Sequence, residues 1–406
     1  MSHTISDRTI TPRSRRQPVN RDEVLLEVND LSVTFQRRGG EPTRAVDQVS
    51  FSVKPGQVVG IVGESGSGKS VTSMAVMGLL PPRGVKVTGE ALYRGRNLLS
   101  LGTKEMSNLR GSEIAMVFQD PMSSLNPVIP IGLQVTEVLA RHSDISRSDA
   151  RSEAEDLLRR VGIPDPARRL NEYPHQLSGG MRQRALIAIA LACKPALLIC
   201  DEPTTALDVT IQAQVLELLK ELVSDLGTAM VMITHDLGVV AGLCDFVNVM
   251  YAGRIVESAT RRELFEHPRH RYTEGLLNSI PRLDSPRGEP LTPIPGTPRD
   301  VISWSKACAF APRCPHAADD CVVGDLALVP MGPGSHQVRC VHPAEAPEPG
   351  YPEPGSARPG NTHSGSQQPR ADQPGTTQAE SSEPGVEDRE DPGLFDSPGP
   401  DGRTAP

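Results

Sequence analysis

The octapeptide GESGSGKS, Gly63 to Ser70, has the residue types and spacing of a loop that wraps phosphate groups. Gly63, Gly66 and Gly68 let the backbone turn tightly, so that successive N–H groups through Glu64, Ser65 and Ser67 face phosphate oxygens. Lys69 is then placed to reach the β- and γ-phosphates of a nucleoside triphosphate, and the Ser70 hydroxyl to ligate Mg²⁺. A pair of carboxylates, Asp201 and Glu202, follows at the end of the apolar run LLIC, 132 residues after Lys69. Alone, DEP reads as an exposed acidic turn. After a phosphate loop it reads as the second half of one site, with Asp201 holding Mg²⁺ through its water shell and Glu202 orienting a water towards the γ-phosphate.

A third grouping is of a different kind. Four of the seven cysteines, Cys308, Cys314, Cys321 and Cys340, fall in the pattern C-x5-C-x6-C-x18-C. Residues 1–21 carry five arginines but no apolar stretch of the kind a secretory signal needs, so a reducing compartment is expected, where structural disulfides are rare. A metal centre that cross-links a Pro-rich segment is the expected use. The spacing leaves the metal open: zinc sites usually include a C-x2–4-C pair, which is absent, His316, His336 and His342 offer further ligands, and four thiolates also suit a [4Fe–4S] cluster.

The elements that must position these groups follow from composition and periodicity. With 37% apolar residues in 406, the chain can bury a substantial core. Residues 1–22 read as a disordered basic arm, 23–280 as an α/β core, 281–342 as a Pro- and Cys-rich extension, and 343–406 as a disordered acidic tail with 13 prolines. That tail holds 12 Asp and Glu against 4 Arg, so the net charge of −8 belongs to it, and the near-neutral remainder shows no footprint for nucleic acid. The longest helical apolar stretch, Ala185 to Cys193, is broken by Lys194 and Pro195 and is far short of the roughly 18–20 residues of a membrane span, so a membrane role must come through a partner. LLEVNDLSVTF alternates as a strand, and AVDQVSFSVKPGQVVGIVG gives two more, parted at Pro55-Gly56. A helix is predicted from Ser70 to Leu80, stopping at Pro81-Pro82, and buried strands at 196–200 and 229–235. Cys193, Cys200 and Cys244 lie in apolar segments and read as buried small hydrophobes.

Between the two acidic and glycine-rich motifs lies HQLSGGMRQRALIAIAL, residues 175–191. Ser178, Gly179 and Gly180 precede an apolar helix, so a hydroxyl, free N–H groups and the helix dipole form a second anion site, and a helix cap. Leu177 to Gln183 resembles the signature of ATP-binding cassette ATPases, and the other pieces agree in order. Phe35 resembles the aromatic that stacks on adenine, Gln119 in VFQDPMSSLNP the Q-loop glutamine, Asp208 in TALD the D-loop, and His235 in ITHD the switch histidine. The resemblance covers about residues 24–260 and implies an ABC-type P-loop nucleotide-binding domain with a RecA-like core, an antiparallel β subdomain and a helical signature subdomain. It implies ATP and Mg²⁺ as cofactors, the metal meeting Ser70, Gln119 and Asp201. It also implies catalysis by Glu202, His235 and Gln119, and two chains packed head to tail, the signature of one closing on the γ-phosphate held by the other.

The sequence GIVGESGSGKSVTSMAVMGLLP, followed by VFQDPMSSLNP, is similar to the D-type ATP-binding subunit of dipeptide and oligopeptide permeases. HPRHRYTEGLLNSIPRLD, PIPGTPRD and CAFAPRCPHAADDC…HQVRC resemble the C-terminal extension of those subunits, with Ala307 where a glycine is usual and DVISWSKA in place of a more Pro-rich approach. The resemblance favours the [4Fe–4S] cluster over Zn²⁺. It implies a second, distinct F-type ATPase subunit as a heterodimer partner, two transmembrane permease subunits and, indirectly, an extracytoplasmic peptide-binding protein, with this chain at the cytoplasmic face of the membrane. Dipeptides, oligopeptides, nickel chelates and glutathione-like peptides all remain open as cargo. Cassette ATPases of repair and chromosome maintenance carry a long coiled coil where this chain has 109 residues from Lys69 to Ser178, and translation cassettes carry every motif twice. A non-hydrolysing regulator would lack Glu202 or His235.

Overall fold

Leu26, Val28, Leu31 and Val33 are all fully buried on strand β1 (Leu26–Phe35), although the apolar alternation changes phase between Val28 and Leu31. A bulge absorbs the extra residue: Asp30 has φ 49° and the pairing register shifts there. The computed structural model describes residues 23–37, 39–205, 207–280, 293–297, 307–332 and 334–345. The expected basic arm, and the acidic tail beyond residue 345, lie outside them.

Strand β2 (Thr43–Val53) turns at Pro55-Gly56 into β3 (Val58–Val62), and the glycine-rich loop leads to helix α1 (Lys69–Val76). This helix ends four residues before the predicted stop. Gly78 at φ 60° donates to Ala75 O (3.0 Å) and Leu79 N–H to Met74 O (2.8 Å), so a glycine cap, not the Pro81-Pro82 pair, terminates it. Strands β4 (Val85–Tyr93) and β5 (Arg96–Asn97), helix α2 (Thr103–Leu109) and β6 (Ile114–Val117) follow. A helical stretch comes next: α3 (Pro121–Ser124), α4 (Ile131–His142), α5 (Arg147–Arg160), α6 (Pro166–Arg169) and α7 (Gly179–Leu191). On α5 the buried positions Ala150, Ala154, Leu157 and Leu158 form the single apolar stripe of a helix that packs on one side.

Strand β7 (Leu197–Asp201) carries the acidic pair, and α8 (Val209–Leu226), capped by the Asp208 side chain and closed by Gly227, returns the chain to β8 (Ala229–Thr234). Then come α9 (Leu237–Leu243), β9 (Phe246–Tyr251), β10 (Arg254–Thr260), α10 (Arg261–Glu266) and α11 (Arg271–Asn278), with β11 (Val329–Pro330) and β12 (Gln337–Val338) in the extension.

The strands make two sheets. One is antiparallel in the order β2-β1-β4-β5, the other mixed in the order β11-β12-β10-β9-β3-β8-β7-β6, with β9, β3, β8, β7 and β6 parallel. Every residue of β3, β7 and β8 is buried, as a strand covered on both faces requires. Their alternate side chains serve two cores: Val59, Ile61, Ile199, Val231 and Ile233 pack with the antiparallel sheet, whereas Val62, Leu198, Cys200, Met230 and Met232 pack with the helices.

The extension adds to the same sheet. β12 pairs with β10 through Glu257↔Val338 and Ser258↔Gln337, and Phe310, 2% exposed, sets its ring 5.4 Å from those of Tyr251 and Tyr272. Cys200 and Cys244 are buried as expected of small hydrophobes, but Cys193 is only half-buried, because it lies just beyond the C-cap of α7.

Candidate functional site

The phosphate loop joins β3 to α1, so it lies at the carboxyl end of a central parallel strand, next but one in the sheet to β7. Gly68 needs its freedom: at φ 101°, an added Cβ would sit 2.5 Å from Ala45 O. Lys69, 4% exposed, donates through Nζ to Gly63 O (2.7 Å) and Glu64 O (2.9 Å), and Ser70 Oγ donates to Asp201 Oδ1 (2.8 Å). Burial lowers the Lys69 pKa, opposed by the charges of Glu202, Asp201 and Glu64; burial raises that of Asp201, opposed by the Ser70 hydrogen bond. Glu64 N–H does not behave as the sequence predicts, because it donates to Tyr272 Oη (2.9 Å) rather than standing free for phosphate.

Glu202 is the meeting point. Gln119 Nε2 (3.1 Å) and Thr205 Oγ1 (2.8 Å) donate to its Oε2, His235 Nδ1 lies 3.3 Å from the same oxygen, and Lys69 Nζ is 3.9 Å from Oε1. Its backbone holds a left-handed φ of 45°, uncommon for a residue with a long side chain, and its N–H is fixed by Ile233 O (2.9 Å). These groups line a cavity of about 720 Å³, together with loop residues 63–66 and 68–70, except Ser67, which is buried beside it with no hydrogen-bond partner for its Oγ. An amine, a glycine-rich backbone and the start of a helix fit a polyphosphate; Ser70 and Gln119 in the wall, with Asp201 behind Ser70, carry oxygen donors of the kind that could hold Mg²⁺.

The other predicted residues lie outside this cavity. Ser178 caps α7 by accepting from Met181 N (3.3 Å), and Asp208 caps α8 by accepting from Ile211 N (3.0 Å). Gly179 and Gly180 open α7 against α8, where a Cβ on Gly180 would come within 2.7 Å of Ile211 Cγ2. Phe35, half-buried, pairs in the sheet with Val85 and Thr43, two residues from Ala45, which does line the cavity. Thr205, Tyr272 and Arg313 were missed from sequence. Thr205 had a signal, since it follows Glu202 by one turn of DEPTT.

In the extension, Cys321 Sγ accepts the Ala318 N–H (3.5 Å), and Cys308 N–H donates to Cys321 O (2.9 Å), which ties the first and third of the predicted cysteines together. Burial pushes the Cys308 thiol up to about 11 and also raises Cys314 and Cys340. Among the described residues, no three of these sulfurs lie within 4.8 Å of one another; the one such compact group is Asp320, Cys321 and His342. Of the three candidate histidines, His336 is engaged elsewhere, with Glu257 (2.7 Å), whereas His342 bonds Asp320 (2.8 Å) within that compact group.

With the geometry in view, residues 46–205 match the ABC transporter family, and residues 256–321 match the oligopeptide/dipeptide transporter C-terminal region. The chain is 53% identical over 305 residues to the oligopeptide transport ATP-binding protein OppD of Salmonella typhimurium, which spans 75% of this chain and 89% of that one. It is 54% identical over 295 residues to the dipeptide transport ATP-binding protein DppD of Bacillus subtilis, 72% of this chain and 88% of the relative. Among solved structures, an ATP-binding cassette in a dimeric post-hydrolysis state bound to ADP and Pi aligns with a TM-score of 0.53 and 29% identity, over 58% of this chain and 99% of that one. No helix among the described residues is long and apolar enough to cross a membrane.

Proposed function

The chain belongs to the ABC transporter family, as an ATP-binding and ATP-hydrolysing subunit of the peptide-importer kind, and from that premise we propose how its residues do the work. The carrying observation is the convergence of Gln119, Thr205, His235 and Lys69 on Glu202 in the wall of the phosphate cavity. Glu202 accepts a hydrogen bond from the attacking water and orients it, while His235 and Thr205 hold the carboxylate in place. Lys69 and the loop N–H groups bind the β- and γ-phosphates and meet the charge that develops on transfer. Ser70, Gln119 and Asp201 would hold Mg²⁺, which would supply charge neutralisation at the phosphates.

The subunit acts at the cytoplasmic face of the cell membrane beside two transmembrane permease subunits and a distinct F-type ATPase, and it energises uptake of dipeptides or oligopeptides delivered by an external binding protein. The match of residues 256–321 to the peptide-transporter extension supports peptide cargo over nickel or glutathione. The test is co-reconstitution in lipid with the permease subunits and binding protein. Peptides should raise ATP turnover and nickel chelates should not; the reverse order would reassign the cargo.

We further infer that Cys308, Cys314, Cys321 and Cys340 hold a [4Fe–4S] cluster that fixes the extension. Four free thiols, none of them fully exposed, are a donor set that suits such a cluster. The likeness of the extension to that of peptide-permease subunits supports the cluster over zinc. Anaerobically purified protein should contain about four iron and four sulfide per chain and bleach on replacing Cys314 or Cys321. Stoichiometric zinc without acid-labile sulfide would overturn the cluster and leave the ATPase untouched.

A further inference from the structure

Glu64 places a carboxylate in the wall of the phosphate cavity, where a triphosphate brings like charge. That carboxylate is met from 249 residues away: Arg313 Nη1 and Nη2 donate to Glu64 Oε2 (2.6 Å) and Oε1 (3.0 Å), two parallel bonds of a guanidinium fork. Arg313 is itself held firmly. Its Nε donates to Pro295 O (2.9 Å), Nη1 reaches Tyr251 Oη (3.4 Å), and the guanidinium stands 5.9 and 6.0 Å from the centres of the Tyr251 and Phe310 rings. Its side chain is 6% exposed, against 23% for Glu64, so the pair lies largely out of solvent screening. The Glu64 hydrogen bond raises the Arg313 pKa, keeping the cation charged at all relevant pH. On the backbone side, Tyr272 Oη accepts from Glu64 N–H (2.9 Å), and its ring packs on Phe310 from the extension. The phosphate loop is therefore gripped at one residue by both its main chain and its side chain.

We propose that the C-terminal extension is a latch on the ATP site: Arg313 cancels the Glu64 charge and, with Tyr272, fixes the loop in its nucleotide-accepting form. Arg313 is a positioning residue, acting on nucleotide through Glu64. It ends the short turn Ala311–Arg313 and directly precedes Cys314, so whatever organises the cysteines also sets the latch. ATP affinity thereby depends on the extension being in place. This inference rests on the ATP-site reading of the loop and is independent of which metal the cysteines hold.

The test is a double-mutant cycle in the full chain, read by equilibrium binding of ATP. Arg313→Gln should weaken ATP about tenfold, an uncancelled charge beside the phosphates being worth about 1.4 kcal/mol, and the loss should grow at low salt. In the Glu64→Gln background the same substitution should cost less than about twofold, because there is no charge left to cancel. Arg313→Lys, which restores the charge but not the fork, should recover part of the affinity; if Arg313→Gln fails to fold, this lysine variant in both backgrounds carries the cycle. Equal losses in the two backgrounds, or no loss in either, would overturn the latch. ATP affinity that survives Lys69→Ala would instead overturn the reading of the loop itself.

Discussion

Glu202 differs from its neighbour Asp201 in what surrounds it, and that difference assigns their tasks. Asp201 is buried and bonded to Ser70 on α1, whereas Glu202 faces the cavity and collects Gln119, Thr205 and His235 on one oxygen. Glu202→Gln keeps the shape and the amide can still bond, but it cannot take up a proton. The variant should bind ATP as the parent does and lose at least about a hundredfold in turnover, measured by single-turnover hydrolysis in the assembled complex. Hydrolysis at the parental rate would show that the base is elsewhere. Lys69→Ala should act at the earlier step, with ATP binding itself lost, because the buried amine is the cation within the loop. Thr205→Val should fall between these, slowing turnover about tenfold with little change in ATP affinity, since it removes only one hydrogen bond that orients Glu202. The glycine-rich loop and the acidic pair Asp201-Glu202 could be read from residue types and their place after apolar strands, whereas Gln119 and His235 were named by resemblance alone. Tyr272 and Arg313 were read by neither route. They reach Glu64 across 208 and 249 residues, and no local pattern records such a contact.

At the scale of elements, helix α11 connects the site to the extension, and its start depends on a neutral histidine. His270, 1% exposed, caps the helix by accepting from Tyr272 N through Nδ1 (3.1 Å), and Tyr272 in turn holds the phosphate loop. Burial pushes the His270 imidazole down to about 4, against a smaller upward pull from Glu257. Below the ordinary histidine value of about 6.5 the unfolded chain takes up a proton that the folded chain refuses, so stability is full above that pH and falls as pH drops towards 4. The loss should reach about 2–3 kcal/mol between pH 7 and pH 4.5. His270→Asn keeps a capping acceptor and removes the titration, so urea midpoints of parent and variant should diverge over that window; parallel curves would show that His270 carries no such linkage. Elements were legible where one rule decided them, as in the apolar runs of β7 and β8, each with a single polar residue at its end. The end of α1 was misplaced because Gly78 closes the helix through Met74 and Ala75 before the proline pair can act, and glycine and proline signals a few residues apart cannot be ranked from sequence. The attachment of β12 to β10 was equally hidden, since a two-residue strand has no periodicity to read.

At the scale of the whole molecule, the two helix starts read from the sequence as anion-binding ends stand apart. Residues 63–66 and 68–70 line the phosphate cavity, while Ser178, Gly179 and Gly180 stand at the start of α7 against α8, outside it. Among the described residues, Gln119, Glu202, Thr205 and His235 line the cavity opposite the glycine-rich loop, and no residue of α7 lines it. A second cassette packed head to tail would bring its own signature helix to this opening, and this chain would return its Ser178 end to the partner's nucleotide. Exclusion of water and the last set of N–H donors would thus arrive only on association, and hydrolysis should follow association. The purified chain alone should turn over ATP slowly at any concentration, and adding the proposed F-type partner should raise the rate at least about tenfold, as completing an oxyanion-type site does. Ser178→Arg in this chain should abolish that gain while leaving its own ATP binding intact, because the bulky cation blocks the partner's site and not the cavity of residues 63–70. Activity of the isolated chain that rises with its own concentration would mean that it pairs with itself; full activity that is independent of concentration and indifferent to Ser178→Arg would mean that one chain completes the site, against the separation of its two ends.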